Sequence, residues 1–245
     1  MDETIVVITG ASSGIGAALA ELLAGRRASV ALVARRDKEV RAVAERCGAK
    51  ALAIVADVTK RHDVTRAVAE SIARFGRIDV WVNNAGRGIT RVPTALTDAD
   101  IDDMIQMNVK SALYGMQEVL PHFKERRAGH VINVSSMLGR IPYALVRSSY
   151  SASKHFLNAL TANFRTEVQQ THPDIQFSLV SPGMVHTEFG LNAVHGGPDS
   201  RNFPDAQSAA EVAAVIAEVI ESRRADVYTR PGSQERVVEY YRSLG

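Results

Sequence analysis

Ile5-Val6-Val7-Ile8-Thr9-Gly10-Ala11-Ser12-Ser13-Gly14-Ile15-Gly16-Ala17-Ala18-Leu19-Ala20 sets three glycines between a β-branched apolar run and a segment rich in alanine and leucine. The first part predicts a buried strand, and Ala17, Leu19, Ala20, Leu22 and Leu23 fall at helical spacing, so the glycines occupy a strand-to-helix turn. Gly10, Gly14 and Gly16 there permit a tight turn, close backbone approach to a pyrophosphate and close helix packing. The helix start adds free N–H groups and a positive dipole end. A dinucleotide fits that geometry, although a glycine triplet alone fits an ordinary turn equally well.

Further apolar runs recur at 30–34, 51–56, 80–83, 130–135 and 176–181, with helix-spaced segments between them. Alternation of this kind predicts a single α/β domain over residues 1–245, a parallel sheet covered on both faces by right-handed crossovers, with ligands outside the carboxyl ends of its strands. The stretch 184–205 is rich in Gly, Pro, Asn and His and reads as a mobile substrate lid. With 29 basic and 27 acidic residues the net charge is +2, and the basic residues are scattered, which gives no case for a nucleic-acid partner. Cys47 is the one cysteine, so no intramolecular disulfide framework or cysteine metal site arises. The histidines of the irregular stretch lack matched ligand spacing, and no catalytic metal is expected. Met1-Asp2-Glu3-Thr4 is too acidic, and the apolar run after it too short, for a signal peptide or membrane span, so the cytoplasm is the expected compartment.

Other residues at strand ends carry chemistry. The second run ends Val33-Ala34-Arg35-Arg36, with no acid for a ribose 2′-hydroxyl and two guanidinium groups suited to a 2′-phosphate, which favours NADP(H) and leaves NAD(H) open. The alternative is a pair of solvated residues opening a helix. Asp57, after the third run, and Asn83-Asn84-Ala85-Gly86, after the fourth, suit either adenine contacts or plain turn chemistry. Tyr150-Ser151-Ala152-Ser153-Lys154 opens a helical segment, and a spacing of four puts phenol and ammonium on one face. An ammonium there is expected to lower the phenol pKa towards working pH and make Tyr150 a proton shuttle, with Ser136 polarising a substrate oxygen. Without further context, an incidental surface pair is the commoner explanation for Tyr150 and Lys154.

Taken in order, Thr9-Gly10-x-x-x-Gly14-x-Gly16, Asn83-Asn84-Ala85-Gly86, Asn108, Ser136, Tyr150-x-x-x-Lys154 and Pro182-Gly183 resemble the short-chain dehydrogenase/reductases over essentially the whole chain. The resemblance implies a Rossmann-type, doubly wound three-layer α/β/α fold with about seven strands. It implies a catalytic tetrad of Asn108, Ser136, Tyr150 and Lys154, and cofactor contacts from Gly10, Ser12, Ser13, Gly14, Ile15, Gly16, Arg35, Arg36, Asp57, Val58, Asn84, Ala85 and Gly86. In such enzymes Tyr150 also contacts the cofactor, Lys154 grips the nicotinamide ribose, Asn108 holds a relay water, and Pro182, Gly183, Val185 and Thr187 cover the carboxamide. It also implies hydride exchange with a small carbonyl or alcohol substrate and assembly as a homodimer or homotetramer.

Two features depart from the family pattern. Ser12 stands where many NADP-preferring members carry a base. The loop 139–149 looks one residue longer than usual and carries Arg140 and Arg147, leaving Ser135 as a rival to Ser136, which is preferred because Gly139 follows it after two residues. Leu138, Pro142, Tyr143, Leu145, Met184, Phe189, Leu191 and Phe203 suit an apolar substrate pocket, whereas Arg140, Arg147, His186 and His195 suit an acyl or phosphate group. A complete tetrad favours an enzyme over a sensor or scaffold that binds NADP(H) without turnover.

Overall fold

Seven strands form one parallel sheet in the computed structural model, which describes residues 2–245, with spatial order β3-β2-β1-β4-β5-β6-β7. The strands are β1 (Ile5–Thr9), β2 (Ser29–Ala34), β3 (Ala51–Val55), β4 (Val80–Asn83), β5 (Gly129–Val134), β6 (Ile175–Ser181) and β7 (Asp226–Tyr228). Helices α1 (Gly14–Gly25), α2 (Asp37–Cys47) and α7 (Ala209–Ser222) cover one face. The other is covered by α3 (Arg61–Phe75), α5 (Ser111–Arg126) and α6 (Ser148–Gln169). Helix α4 (Asp98–Ile105) precedes α5, and α8 (Ser233–Arg242) ends the chain.

Strict alternation along buried strands divides the core. Val6 and Ile8 of β1 join α1 and α7 on one face, and Val7 joins Trp81 and Phe123 on the other. Both faces being covered, the strands read as continuous apolar runs instead of alternating ones. Val6, Val7 and Ile8 are fully buried, and at about 1.5–3 kcal/mol for each such side chain β1 is a firm base for the loop that follows it. β1 pairs with β2 on one side and β4 on the other, so the loops leaving β1 and β4 flank the point where the strand order reverses, the place a parallel sheet offers a ligand.

Six strands follow the sequence pattern, with ends moved by one residue at β2, β3, β5 and β6. β7 lies outside it, because Asp-Val-Tyr offers a single aliphatic residue. Beneath the carboxyl ends, Trp81 Nε1 donates to Asn83 Oδ1 (2.7 Å), Asn83 Nδ2 to Asn133 Oδ1 (2.8 Å), and Asn133 Nδ2 to Thr161 Oγ1 (2.8 Å). This buried chain of amides and a hydroxyl ties β4, β5 and α6 together, and α6 carries Tyr150. Among the described residues no helix is long and apolar enough to cross a membrane, and no group of three His, Cys, Asp or Glu residues is placed to hold a metal.

Candidate active site

The glycine loop is shaped by what lies against it. Gly10 and Gly14 have φ of +69° and +57°, the left-handed region that glycine enters without penalty. A Cβ on Gly10 would lie 2.8 Å from Ala85 Cα, and one on Gly16 would lie 2.5 Å from the Gly10 oxygen and 2.6 Å from Asn84 Nδ2. The loops after β1 and β4 therefore touch only because side chains are missing there. Thr9 Oγ1 accepts from the backbone N–H groups of Asn84 (3.0 Å) and Ala85 (3.1 Å), and Asn84 Nδ2 donates to the Thr9 oxygen (2.9 Å). The Asn84 amide thus holds the loop conformation, one of its two sequence readings. Gly16→Ala forces that junction apart. The expected result is loss of dinucleotide binding by at least tenfold and a lower unfolding midpoint, measured by fluorescence titration and urea denaturation.

Helix α1 begins with no side-chain cap and no acid in its first turn, so its positive end is left for an anion. Arg36 reaches back across the loop, its Nη2 donating to Ser12 Oγ (3.0 Å) and Ser13 Oγ (2.7 Å). A base thereby reaches Ser12 from β2. Arg35 is exposed. Asp57 Oδ1 accepts from Thr59 N and Oγ1 (3.0 and 2.8 Å), which shapes the turn into α3, and neighbouring Val58 is buried in the core. Ile15, in the first turn of α1, packs at the edge of the core.

On the other side of the cleft, Tyr150, Lys154, Ser136 and Asn108 are all buried. Ser136 acts on the phenol, pulling its pKa down, and its Oγ accepts from Leu138 N–H (3.1 Å). Ser135 is spent on Asn158, donating to Oδ1 at 2.5 Å. The two serines differ in that Ser135 is engaged by Asn158, while Ser136 is the one that acts on the phenol. Lys154 Nζ lies 5.7 Å from the Tyr150 ring centroid and donates to the Val134 carbonyl (2.9 Å). Asn108 sits in a π-helical segment, Gln106–Lys110, between α4 and α5, where helices often carry functional groups. Its Nδ2 donates to the Arg87 oxygen (3.0 Å) and Ser153 Oγ (3.1 Å). A Cβ on Gly86 would lie 3.2 Å from Asn108 Oδ1 and 3.6 Å from Lys154 Nζ, so this glycine keeps the space beside both open.

The expected lowering of the phenol pKa is not what the protein shows. Burial pushes Tyr150 up to about 12, against smaller downward pulls from the Ser136 hydrogen bond and the Arg147 charge. Burial also brings Lys154 down to about 8. Desolvation of both charged forms outweighs the local contacts.

The stretch 184–205 is irregular, as its composition indicates, yet it is not a free flap. Val194 N donates to the Gly88 oxygen (2.9 Å), Thr90 N to the Val194 oxygen (3.0 Å), and His195 Nε2 lies 2.7 Å from Asp100 Oδ1. Asp100, also paired with Arg91 at 2.9 Å, has its carboxyl pushed well down, first by the Thr97 backbone N–H and then by His195. Thr187 lies over the glycine loop, its Cγ2 3.2 Å from where a Gly14 Cβ would be. Val185 is buried and pairs with Gln207. The Pro182 carbonyl accepts from Met137 N–H (2.7 Å), and Gly183 lies beside Arg230.

The family model described as short chain dehydrogenase matches residues 4–195. The chain belongs to the short-chain dehydrogenase family. An uncharacterized oxidoreductase of Staphylococcus epidermidis is 34% identical over 185 residues, covering 76% of this chain and 79% of the relative. A short chain dehydrogenase/reductase from Burkholderia phymatum, solved with NAD, superposes with a TM-score of 0.90 at 22% identity, covering 99% of this chain and 94% of that one, a likeness of fold. An alcohol dehydrogenase from the archaeon Thermococcus sibiricus, solved with 5-hydroxy-NADP, gives 0.80 at 26% identity, covering 93% and 96%. This short-chain dehydrogenase is thus an oxidoreductase, and the Burkholderia and Thermococcus structures it resembles each hold a nicotinamide dinucleotide.

Of the apolar residues picked from sequence, this dehydrogenase brings Phe189 and Leu138 to Tyr150. They share a cluster with Ile89, Met104, Leu96 and Val194, and the Phe189 ring sits edge-on at 5.5 Å from the Tyr150 ring. Tyr143, Leu145, Met184, Leu191 and Phe203 are exposed instead. Ile89, Met104 and Val194 escaped sequence reading, because their motif neighbours say nothing of which loops meet; the apolar Ile89 after Gly88 was the one available signal.

Proposed function

We propose that the protein is an NADP(H)-dependent oxidoreductase that interconverts a carbonyl and an alcohol on a small molecule, with Tyr150 as general acid and base. The observation that carries this is a buried phenol neighboured by Ser136 and Lys154, beside a glycine loop whose helix start is open to an anion. A bound nicotinamide dinucleotide supplies or accepts the hydride. The residues that would hold it fit: Gly10, Ser12, Ser13, Gly14, Ile15 and Gly16 at the pyrophosphate, Asp57, Val58, Asn84, Ala85 and Gly86 along the nucleoside, Lys154 at the ribose, and Pro182, Gly183, Val185 and Thr187 over the carboxamide.

In reduction, the Tyr150 hydroxyl gives its proton to the developing alkoxide while the Ser136 hydroxyl donates a hydrogen bond to the same oxygen. A phenol held near 12 keeps its proton at neutral pH and is ready to donate. Lys154, with a pKa near 8, is poised to return a proton to the phenolate side, and Asn108 fixes the backbone beside it. Phe189 and Leu138 keep water from the phenol.

The preference for NADP(H) rests on Ala34 closing β2 without an acid, on exposed Arg35, and on Arg36 lying on Ser12 and Ser13. A guanidinium on a phosphate is worth roughly 1.5–3 kcal/mol, or about tenfold to hundredfold. Arg35→Ala and Arg36→Ala together should weaken NADPH binding by that factor and NADH binding by less than about threefold. Equal losses for the two, measured by nucleotide fluorescence, remove both arginines from the phosphate site.

A further inference from the structure

Arg147 acts on the Tyr150 phenol, and it differs from Arg87, Arg91 and Arg140, which are each neutralised by a carboxylate. Arg87 pairs with Asp103 at 3.7 Å, Arg91 with Asp100 at 2.9 Å and Arg140 with Asp226 at 2.5 Å. Among the described residues no carboxylate lies within ion-pair distance of Arg147. Its Nη1 donates to the Ile89 carbonyl at 3.0 Å, which leaves most of its fork of five N–H donors unused. The guanidinium is half-buried and sits close enough to act on the Tyr150 phenol.

Space for it is made by two glycines. A Cβ on Gly88 would lie 3.1 Å from Arg147 Nη1 and 2.9 Å from Phe189 Cε1, and one on Gly197 would lie 3.0 Å from Arg147 Nη2 and 2.8 Å from Thr90 Oγ1. The Thr90 hydroxyl is itself buried with no hydrogen-bond partner. A fork short of a counter-charge and a hydroxyl short of a partner therefore both lie against Gly197, beside the Gly190 carbonyl, and the fork also lies near the Phe189 ring that packs on the phenol. Leaving a half-buried cation and a buried hydroxyl unpaired is costly, and an anion with planar oxygens is the partner that the fork suits.

We propose that Arg147 and Thr90 form a carboxylate subsite, so that the carbonyl or alcohol presented to Tyr150 belongs to an oxo acid or hydroxy acid. This names the substrate class of the site proposed above and rests on Tyr150 being its acid and base. Arg147 fixes the acid group, and its charge also favours the phenolate, an effect common to every substrate that cancels when an acid is compared with its ester.

The test compares pyruvate, acetoacetate and levulinate, which place the carboxylate at increasing distance from the ketone, with their methyl esters. Wild-type protein should reduce at least one acid with kcat/KM above that of its ester by about tenfold to hundredfold. Arg147→Met should bring the ratio to about one or below, and Arg147→Lys, which keeps the charge and loses the fork, should fall between. Equal losses on acid and ester, or a wild-type preference for esters, overturn the subsite and leave Tyr150 chemistry standing. Absence of turnover on these and on neutral aldehydes and ketones overturns the oxidoreductase reading. The subsite is then judged by binding the same acids and esters to NADPH-loaded protein, followed by nicotinamide fluorescence, where equal affinities overturn it and tighter binding of acid, lost in Arg147→Met, upholds it.

Discussion

Tyr150→Phe is expected to lower carbonyl reduction by about 10²–10⁴-fold, the range that a positioned acid–base group supplies, while leaving the fold and the dinucleotide affinity unchanged. The substitution removes one oxygen and keeps the ring that packs at 5.5 Å from Phe189, so the lid contacts survive. The lost interaction with Ser136 costs at most about 1 kcal/mol and is offset by no longer burying a hydroxyl. Direction of reaction gives a second readout. Because burial holds the phenol up to about 12, the proton needed for reduction is present throughout the neutral range, and reduction by the wild type should be nearly flat with pH. Alcohol oxidation needs the phenolate and should climb as pH rises. Stopped-flow single turnovers in both directions check this, and a reduction rate in Tyr150→Phe within threefold of wild type removes Tyr150 from the chemistry.

What made Tyr150 visible from sequence was a local relation: a spacing of four on one helix, placed after a serine-bearing strand end. The glycine loop was visible for the same reason, since Gly10, Gly14 and Gly16 act within one turn. The strands showed because both faces are covered, which forces apolar runs on the sequence; β7 escaped because only Val227 of its three residues is buried. Relations that close over long separations were not visible. Arg36 reaching Ser12, His195 reaching Asp100 and Arg147 reaching Ile89 join segments 24, 95 and 58 residues apart, and no periodicity marks such pairs. The π-helical segment around Asn108 left no pattern either, because one extra residue in a turn shifts the register without changing composition. The direction of the Tyr150 pKa shift was misjudged from sequence because spacing reveals the neighbouring charge and conceals the burial that outweighs it.

Burial also sets an opposition between function and stability at Lys154. Its pKa falls from 10.5 to about 8 because the ammonium is desolvated. Below pH 8 the group is charged in both folded and unfolded chains, and the burial cost is present in full, about 3 kcal/mol. Between 8 and 10.5 the folded state sheds its proton first, the unfolded state binds more protons, and stability from this group rises with pH. Lys154→Met removes the cost and leaves the Val134 carbonyl without the donor it has at 2.9 Å, a loss of about 1–3 kcal/mol that does not vary with pH. The unfolding free energy of the variant relative to wild type should therefore drop by about 2 kcal/mol between pH 7 and pH 9.5, read from urea melts. Turnover should fall by at least about 10²-fold at pH 7, because the ammonium no longer serves the phenol. A flat stability difference would show that Lys154 is not buried as a charge, and near-normal turnover would show that Tyr150 works without it. If both effects appear together, the buried ammonium lowers the stability of the fold at neutral pH and is there to serve the proton transfer.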